Sequence, residues 1–117
     1  KPDQVIFSPW EDIDFEGRFI QADFGNLSVI SIYIPSGSAK QERQDYKMAF
    51  MTERFMPYLQ ELQKDGREYI VCGDINIVHK AIDIKNFNGN KNRSGCLPEE
   101  RAWMEELFTQ TGFIDAF

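Results

Sequence analysis

The sequence predicts an α/β fold in which a mixed, mainly antiparallel sheet packs with helices. Two strand-like stretches flank a Gly25-Asn26 turn signal, apolar residues recur with a helical period over residues 41–64, and a short apolar run covers residues 68–72. The chain has 117 residues, of which 42% are hydrophobic and 14% aromatic, enough to build the core of one domain. We therefore expect residues 1–117 to form a single domain.

The first third of the chain predicts an extended segment followed by a β-hairpin. Residues 1–17 should be irregular because two prolines and an acidic cluster interrupt them; the cluster consists of Glu11, Asp12, Asp14 and Glu16. Apolar and polar residues then alternate over residues 18–24, and residues 27–34 are rich in β-branched side chains, as in an antiparallel hairpin. Pro35 ends the second strand, which places Tyr33 near its carboxyl end.

The middle of the chain predicts an amphipathic helix and then a buried strand. The helical period over residues 41–64 is carried by Met51, Phe55, Tyr58, Leu59 and Leu62. Pro57 lies inside this pattern and predicts a kink or a helix restart. Residues 68–72 lack alternation, which is typical of a strand covered on both faces, so Cys72 should be a buried and inert side chain.

The last part predicts a long loop and a second helix. Residues 76–96 are rich in Asn and show no helical period, so we expect a loop with at most a short helical turn near residues 78–82. Pro98 opens the second helix and Gly112 ends it. Its apolar face consists of Trp103, Met104, Leu107 and Phe108. Residues 113–117 begin a further apolar stretch, which we expect to enter a strand.

Charge and composition exclude several classes of function. The net charge of −6 argues against binding nucleic acid through bulk charge. Residues 80–95 nevertheless carry four cations against Asp83 alone, a local charge of +3, so an anion site is best sought there; a solvated loop is the alternative. The single histidine, His79, and two cysteines exclude two-His and Cys₄ zinc sites. No apolar run predicts a membrane span or a signal peptide, so we expect a reducing, cytoplasmic compartment.

Gly73-Asp74-Ile75-Asn76 is the sharpest local motif. On an extended backbone Asp74 and Asn76 would point the same way, offering an acceptor and a donor. Asp74 could hold a divalent cation or take a proton from water, and Asn76 could donate to a developing negative oxygen. The alternative is an Asp that caps the following turn. Tyr33 could donate to phosphate or pack in the core, whereas His79 has no second ligand or nucleophile nearby in sequence and is interpreted as structural.

Four segments, in this order along the chain, resemble a known protein family. They are residues 17–24, Tyr33-Ile34-Pro35-Ser36-Gly37, Gly73-Asp74-Ile75-Asn76, and the stretch from Ile82-Asp83-Ile84-Lys85-Asn86 to Gly95-Cys96-Leu97-Pro98-Glu99-Glu100-Arg101. Together they resemble the exonuclease III class of apurinic/apyrimidinic (AP) endonucleases, within the endonuclease/exonuclease/phosphatase superfamily of DNase I-like folds. The last segment is the most diagnostic of this class. The resemblance implies a DNase I-like four-layer α/β sandwich.

The resemblance also implies an activity: Mg²⁺-assisted cleavage of duplex DNA 5′ to abasic sites, with removal of 3′-terminal nucleotides or blocking groups, and Mn²⁺ as a possible substitute. Asp74 would orient and deprotonate water, Asn76 would contact the phosphate or a metal, and Tyr33 would stabilise the transition state. Asp74 and Asn76 are therefore the expected metal ligands, and Asp83 looks structural. The expected DNA-binding residues, including Lys91 of the basic stretch, are Ser36, Gly37, Asn86, Asn90, Lys91 and Arg93.

The chain departs from the family pattern in ways that keep other functions open. An upstream Asn and metal-binding Glu, and a downstream Asp and Ser-Asp-His element, have no counterpart, so we interpret the chain as the central part of an incomplete superfamily domain. Ser36 replaces an Asn of the relatives, and Arg93 stands where some carry Asn. One alternative is a superfamily enzyme acting on inositol phosphate or phospholipid; another is an inactive fragment or binding module. We expect the 117-residue chain alone to lack nuclease activity and to self-associate.

Overall fold

The computed structural model describes residues 1–11, 18–38 and 40–116. Its strands are Gln4–Ile6 (β1), Phe19–Phe24 (β2), Leu27–Tyr33 (β3) and Glu68–Asp74 (β4). Its helices are Gln41–Phe50 (α1), Met56–Leu62 (α2), Phe87–Asn90 (α3) and Pro98–Gln110 (α4), with a π-helical segment at Met51–Phe55 and a 3₁₀ turn at Ala81–Asp83. The predicted mixed α/β class is confirmed.

The chain divides into two compact units. The first contains Lys1–Ile34 and Asp65–Ile75, and therefore the whole sheet. The second contains Pro35–Lys64 and Asn76–Phe117, and therefore the helices.

The sheet has the order β1-β2-β3-β4. Strands β1, β2 and β3 pair antiparallel, whereas β4 runs parallel to β3. The hairpin closes where Phe24 pairs with Leu27 around Gly25, whose φ of +56° suits glycine. The predicted hairpin and the mixed, mainly antiparallel pairing are both confirmed.

Side-chain alternation gives the sheet one core face. In β3, Ser28, Ile30 and Ile32 are buried, while the residues between them are half-buried or exposed. Phe19 of β2 joins this core and packs edge to face with Trp10, with ring centroids 5.4 Å apart. The opposite face of β3 carries Tyr33 at its carboxyl end.

Two expectations for the strands are wrong. β1 forms within the segment expected to be irregular, where Asp3 helps it by donating from its N–H to the Asp23 carbonyl at 2.7 Å; a three-residue strand is too short to show alternation. β4 was expected to be covered on both faces, but among the described strands it lies at the sheet edge, and Ile70 is 52% exposed and Cys72 exposed. Most of the predicted acidic cluster, at residues 12–16, lies outside the described residues.

Pro57 restarts the long helix of the second unit, as predicted. Proline has no backbone N–H, and its ring clashes with the carbonyl four residues earlier. The turn before Pro57 is a π-helical segment, Met51–Phe55. The Met56 N–H donates to the Met51 carbonyl, five residues earlier in the chain. The helix thus continues past Pro57 with altered hydrogen bonding.

Aromatic stacking builds the core of the second unit. Phe55 stacks between Phe50 and Trp103, with ring centroids 5.9 and 5.8 Å apart. The indole Nε1 of Trp103 donates to the Met51 carbonyl at 2.9 Å, which satisfies its polar atom inside the core. Of the predicted apolar faces of the two long helices, six residues are buried: Met51, Phe55, Leu59, Leu62, Trp103 and Met104. The other three, Tyr58, Leu107 and Phe108, are half-buried.

The long loop between β4 and α4 is confirmed, but the expectation of at most one short helical turn is wrong, because α3 follows the 3₁₀ turn at Ala81–Asp83. Helix α4 begins at Pro98, and Gly112 follows its end with φ +83°. Residues 113–116 form no strand, so that expectation is wrong for the described part. Among the described helices, none is long and apolar enough to cross a bilayer.

Candidate active site and nucleic-acid surface

Tyr33 and Asp74 lie side by side where two parallel strands end. They are the last residues of β3 and β4, and the register pairs them directly. The Ile34 N–H donates to the Asp74 carbonyl at 2.8 Å, which extends the ladder past this pair. Directly paired residues of neighbouring strands project to one face of the sheet. Because Tyr33 is 45% exposed and Asp74 is exposed, both side chains are accessible to a ligand.

Gly73 is required where β4 approaches β3. Its φ is +125°, a conformation that other residues rarely adopt. A Cβ at this position would lie 2.0 Å from the Ile32 carbonyl oxygen. The glycine of the motif therefore lets the strand bring Asp74 beside Tyr33.

Asn76 reaches its position differently from the prediction. Its φ is +53°, so the backbone is left-handed there and not extended, and the strand-alternation argument for Asp74 and Asn76 is wrong. Asn tolerates this conformation better than most residues. Asn76 belongs to the second unit, whereas Tyr33 and Asp74 belong to the first.

A buried ion pair holds the backbone at Asn76. The Lys47 ammonium donates to the Asn76 carbonyl at 2.7 Å and pairs with the Glu100 carboxylate at 2.7 Å. The other oxygen of Glu100 accepts from the Gly95 N–H at 2.7 Å. Lys47 and Glu100 were not predicted as site residues, although Glu100 stands at the third position of a Pro-initiated helix, where a carboxylate commonly bonds back to the preceding backbone.

The Asn-rich loop is partly self-supporting. Asn86 is left-handed with φ +56° and is exposed. The side-chain nitrogen of Asn90 donates to the Asn86 carbonyl at 2.9 Å, so this amide stabilises the loop. Lys91 and Arg93 are exposed. Of these predicted DNA-binding residues, Asn86, Lys91 and Arg93 offer accessible side chains.

Ser36 and Gly37 form a tight turn after β3. The Ser36 hydroxyl donates to the Ser38 hydroxyl at 3.0 Å. It also accepts a hydrogen bond from the Ser38 backbone N–H at 3.2 Å. Gly37 is buried, and its N–H donates to the Ser94 hydroxyl at 3.1 Å. A Cβ on Gly37 would lie 2.7 Å from the Gln44 Cα, so the turn depends on glycine. Gly37 and Arg93 line one cavity, which brings two of the predicted DNA-binding residues together.

Curated relatives match all or nearly all of this chain. It is 37% identical over 118 residues to the exodeoxyribonuclease of Bacillus subtilis, a match covering 100% of the chain and 46% of the relative. It is 39% identical over 108 residues to the DNA repair nuclease APEX1 of Danio rerio, covering 92% of the chain and 34% of the relative. By sequence and fold, this chain is similar to a part of the exonuclease III-type AP endonucleases. It spans less than half the length of these relatives, and no protein-family model matches it.

Solved structures support the assignment of this chain to the DNase I-like fold. The AP endonuclease of Archaeoglobus fulgidus superposes with a TM-score of 0.80 at 28% identity, covering 92% of the chain and 42% of that protein. The 3′-5′ exonuclease NExo of Neisseria meningitidis gives a TM-score of 0.77 at 22% identity, which shows likeness of fold. The predicted recognition and fold are confirmed.

His79 has a structural environment, in agreement with the interpretation from sequence. Its Nε2 lies 2.6 Å from the Glu105 carboxylate, and its ring packs on Phe108 with centroids 5.2 Å apart. Asp83 accepts from the Lys80 N–H at 2.8 Å and so anchors the start of the 3₁₀ turn. The contacts of both residues thus lie with Glu105, Phe108 and Lys80.

Proposed function

We propose that this chain carries part of the active site of a Mg²⁺-dependent DNA repair phosphodiesterase, which cleaves 5′ to abasic sites and removes 3′-terminal nucleotides or blocking groups. The pairing of Tyr33 with Asp74 carries this proposal. The relatives' names, exodeoxyribonuclease and DNA repair nuclease, support DNA as the substrate over inositol phosphate or phospholipid.

Phosphodiester hydrolysis needs a base for the attacking water and donors for the charge that develops on the phosphoryl oxygens. The Asp74 carboxylate would orient the water and accept its proton. The Tyr33 hydroxyl would donate to a phosphoryl oxygen, and the Asn76 amide would supply a further donor. The hydrogen bond from the Lys47 ammonium to the backbone carbonyl of Asn76 holds this residue in its left-handed conformation. It thereby helps to orient the side-chain amide of Asn76.

The donor set suits Mg²⁺. Asp74 and Asn76 would hold the ion through oxygen atoms, which are the ligands that Mg²⁺ prefers. No cluster of three or more His, Cys, Asp or Glu side chains forms among the described residues, but Mg²⁺ commonly takes one or two carboxylates and keeps several waters. When bound, the ion would neutralise charge on the phosphate; Mn²⁺ is expected to substitute for it.

The proposed partner is duplex DNA with an abasic site or a 3′ end. Phosphate contacts in such complexes come from cations, amides, hydroxyls and backbone N–H groups. The residues proposed for these contacts are Ser36, Gly37, Asn86, Asn90, Lys91 and Arg93. The cytoplasmic, nucleoid-associated location stays a prediction.

The test of the catalytic proposal is cleavage of a duplex with a single abasic site by the complete protein that carries this chain. Asp74→Asn should lower turnover by orders of magnitude while DNA affinity stays nearly unchanged, because the variant lacks the base but keeps the donor contacts. Asp45→Asn, at an exposed position of α1, is the matched control and should cleave normally. Normal cleavage by Asp74→Asn would remove Asp74 from the mechanism.

The DNA-contact proposal has a separate test in the salt dependence of binding. Arg93→Gln or Lys91→Gln should weaken binding to any sequence and reduce the slope of log affinity against log salt by about one per lost phosphate contact. An unaltered slope for both variants would show that this loop does not touch the DNA backbone.

A further inference from the structure

A cavity of about 520 Å³ lies in the second unit, between the amino end of α1 and the end of the Asn-rich loop. Its volume falls within the range of roughly 300–1,000 Å³ that small-ligand sites occupy. Residues that line it include Gly37, Lys40, Gln44, Arg93 and Ser94. It is therefore large enough for a small anionic group together with part of the molecule that carries it.

The lining is cationic in a chain that is acidic as a whole. The net charge of the protein is −6, yet the described residues of the cavity wall include Lys40 and Arg93 and no carboxylate. The remaining polar groups of the wall are amides and hydroxyls, which can donate hydrogen bonds. This combination favours an anion with several acceptor oxygens.

Gln44 supplies a buried donor that has no hydrogen-bond partner among the described residues. Its side chain is 6% exposed, and its oxygen accepts from the Ser94 hydroxyl at 2.5 Å. Ser94 in turn accepts from the Gly37 N–H, which fixes the orientation of the amide. The amide nitrogen of Gln44 is buried, and no group in residues 1–11, 18–38 or 40–116 accepts from it. A buried donor left unsatisfied costs about 1–3 kcal/mol, so a ligand oxygen at this nitrogen would be stabilised.

The amino end of α1 opens at the same cavity. Lys40 is the N-cap residue and makes no side-chain capping bond to the first turn. Within this first turn the Arg43 N–H donates to the Lys40 carbonyl at 3.1 Å, and the amino end of a helix carries a partial positive charge. The same cavity is thus lined by the amino end of α1, the Gln44 side chain and the two cations, Lys40 and Arg93.

From this convergence we propose that the cavity is a phosphate-binding site in which the Gln44 amide nitrogen, Lys40 and Arg93 contact the phosphate oxygens. We assign the bound phosphate to the DNA backbone. This assignment rests on the proposed nuclease function. Free phosphate has the same chemistry, and the two sources are separated by experiment. Gln44 is thereby added to the proposed DNA-binding residues. The sequence does not indicate this role, because a polar residue within a helix is usually exposed to solvent.

Nuclear magnetic resonance of the ¹⁵N-labelled 117-residue chain tests the site independently of cleavage. Inorganic phosphate, titrated at constant ionic strength, should shift the Gln44 side-chain amide signal saturably. Lys40→Gln and Arg93→Gln, both at exposed positions, should raise the phosphate Kd about tenfold. Arg43→Gln, an exposed charge of α1 outside the cavity lining, should leave the Kd unchanged.

Gln44→Glu keeps the acceptor for Ser94 and removes the amide donor, so it should abolish saturable binding. A Gln44 signal that phosphate does not move, or equal weakening by Arg43→Gln, would overturn the cavity proposal. A short DNA duplex should move the same signal; a response to phosphate without a response to the duplex would overturn the DNA source. Failure of the nuclease proposal would appear in the cleavage assay of Asp74→Asn and leave these signals unaffected.

Discussion

Gly73 lies between the exposed Cys72 and the candidate catalytic Asp74. Its positive φ and its closeness to the Ile32 carbonyl mean that any side chain there would both strain the backbone and collide with the neighbouring strand. The pairing of Asp74 with Tyr33 therefore depends on the absence of a Cβ one residue earlier. This explains in physical terms why the motif begins with glycine.

Gly73→Ala tests this requirement. Strain at such a backbone position costs on the order of 1–3 kcal/mol, and the collision with Ile32 adds to it, so the free energy of unfolding should fall by at least that amount. Urea unfolding measures the loss. The control is Gly25→Ala, where φ is +56° but no atom lies within 4 Å of the new Cβ, and a smaller loss is expected. Equal losses at both positions would mean that the close approach of the strands is unimportant.

At the scale of residues, the sequence predicts strand ends better than side-chain directions. Tyr33 and Asp74 could be predicted because turn residues mark where their strands stop. The direction of Asn76 could not, since a left-handed backbone at Asn leaves no trace in the motif. Gln44 was missed for a related reason: a polar residue in a helix is typical of a solvated face, and its burial is decided by the loop that covers it.

At the scale of elements, the ion pair of Lys47 and Glu100 joins α1, the Asn76 turn and α4. Both side chains are buried, and Glu100 also accepts from the backbone before α4. A buried pair of this kind contributes little when compared with an apolar replacement of both partners, but loss of one partner leaves an uncompensated charge. The pair therefore makes the position of Asn76 sensitive to either residue.

Lys47→Met should destabilise the chain by about 3–5 kcal/mol in denaturant unfolding, because Glu100 would keep a buried charge without its partner. Lys64→Met is the matched control, since Lys64 pairs with Glu61 at the surface, where both side chains are mostly exposed. There the expected loss is below about 1 kcal/mol. Similar small losses for both variants would contradict the buried pair.

Arg67 links the start of β4 to the hairpin and shapes the titration of Asp23. It donates to the Ser28 hydroxyl at 2.7 Å and lies 3.8 Å from the Asp23 carboxylate. Burial raises the pKa of Asp23, but hydrogen bonds from Ser28 and Gln21 and the charge of Arg67 together outweigh it and hold the pKa below the ordinary 3.8. Asp23 is therefore stabilising as a carboxylate.

The lowered pKa of Asp23 sets the sign of the pH dependence of the free energy of unfolding. Stability from Asp23 should be fully present above the ordinary pKa and should be lost as the pH falls through the lowered value. Unfolding free energies measured from about pH 5 down to about pH 2 should fall less steeply in Asp23→Asn than in the native chain. The same slope in both proteins would show that Asp23 does not contribute.

Local signals account for the elements that were predicted correctly. The hairpin follows from alternation and a Gly-Asn turn, and the helix restart follows from Pro57, because both depend on neighbours in sequence. The exposure of β4 could not be predicted, since an apolar run without alternation is compatible with burial or with a sheet edge. Which of the two occurs depends on what covers the strand, and that is decided by tertiary structure.

At the scale of the whole molecule, the sheet presents an apolar face opposite its core. The register places large side chains of all four strands on this face, each between 36% and 52% exposed: Val5, Ile20, Phe24, Leu27 and Ile70. Contiguous apolar patches of this kind commonly mark contact surfaces. The predicted self-association of the 117-residue chain would use this face.

Sedimentation velocity should show the 117-residue chain forming dimers or larger species as concentration rises, and Ile70→Lys should shift it towards the monomer. The control is Ile82→Lys, because Ile82 is 90% exposed but lies outside the sheet. A monomer at all concentrations, or an equal effect of both variants, would contradict association through the sheet.

Tyr33 and Asp74, as the proposed catalytic pair, should act on one phosphate. The most direct measurement of this joint action is a double-mutant cycle on abasic-duplex cleavage by the complete protein, with Tyr33→Phe, Asp74→Asn and both together. Groups that act as a unit lose activity non-additively, so the double variant should be little slower than Asp74→Asn alone. Strictly additive losses, or single variants as active as the native protein, would contradict it.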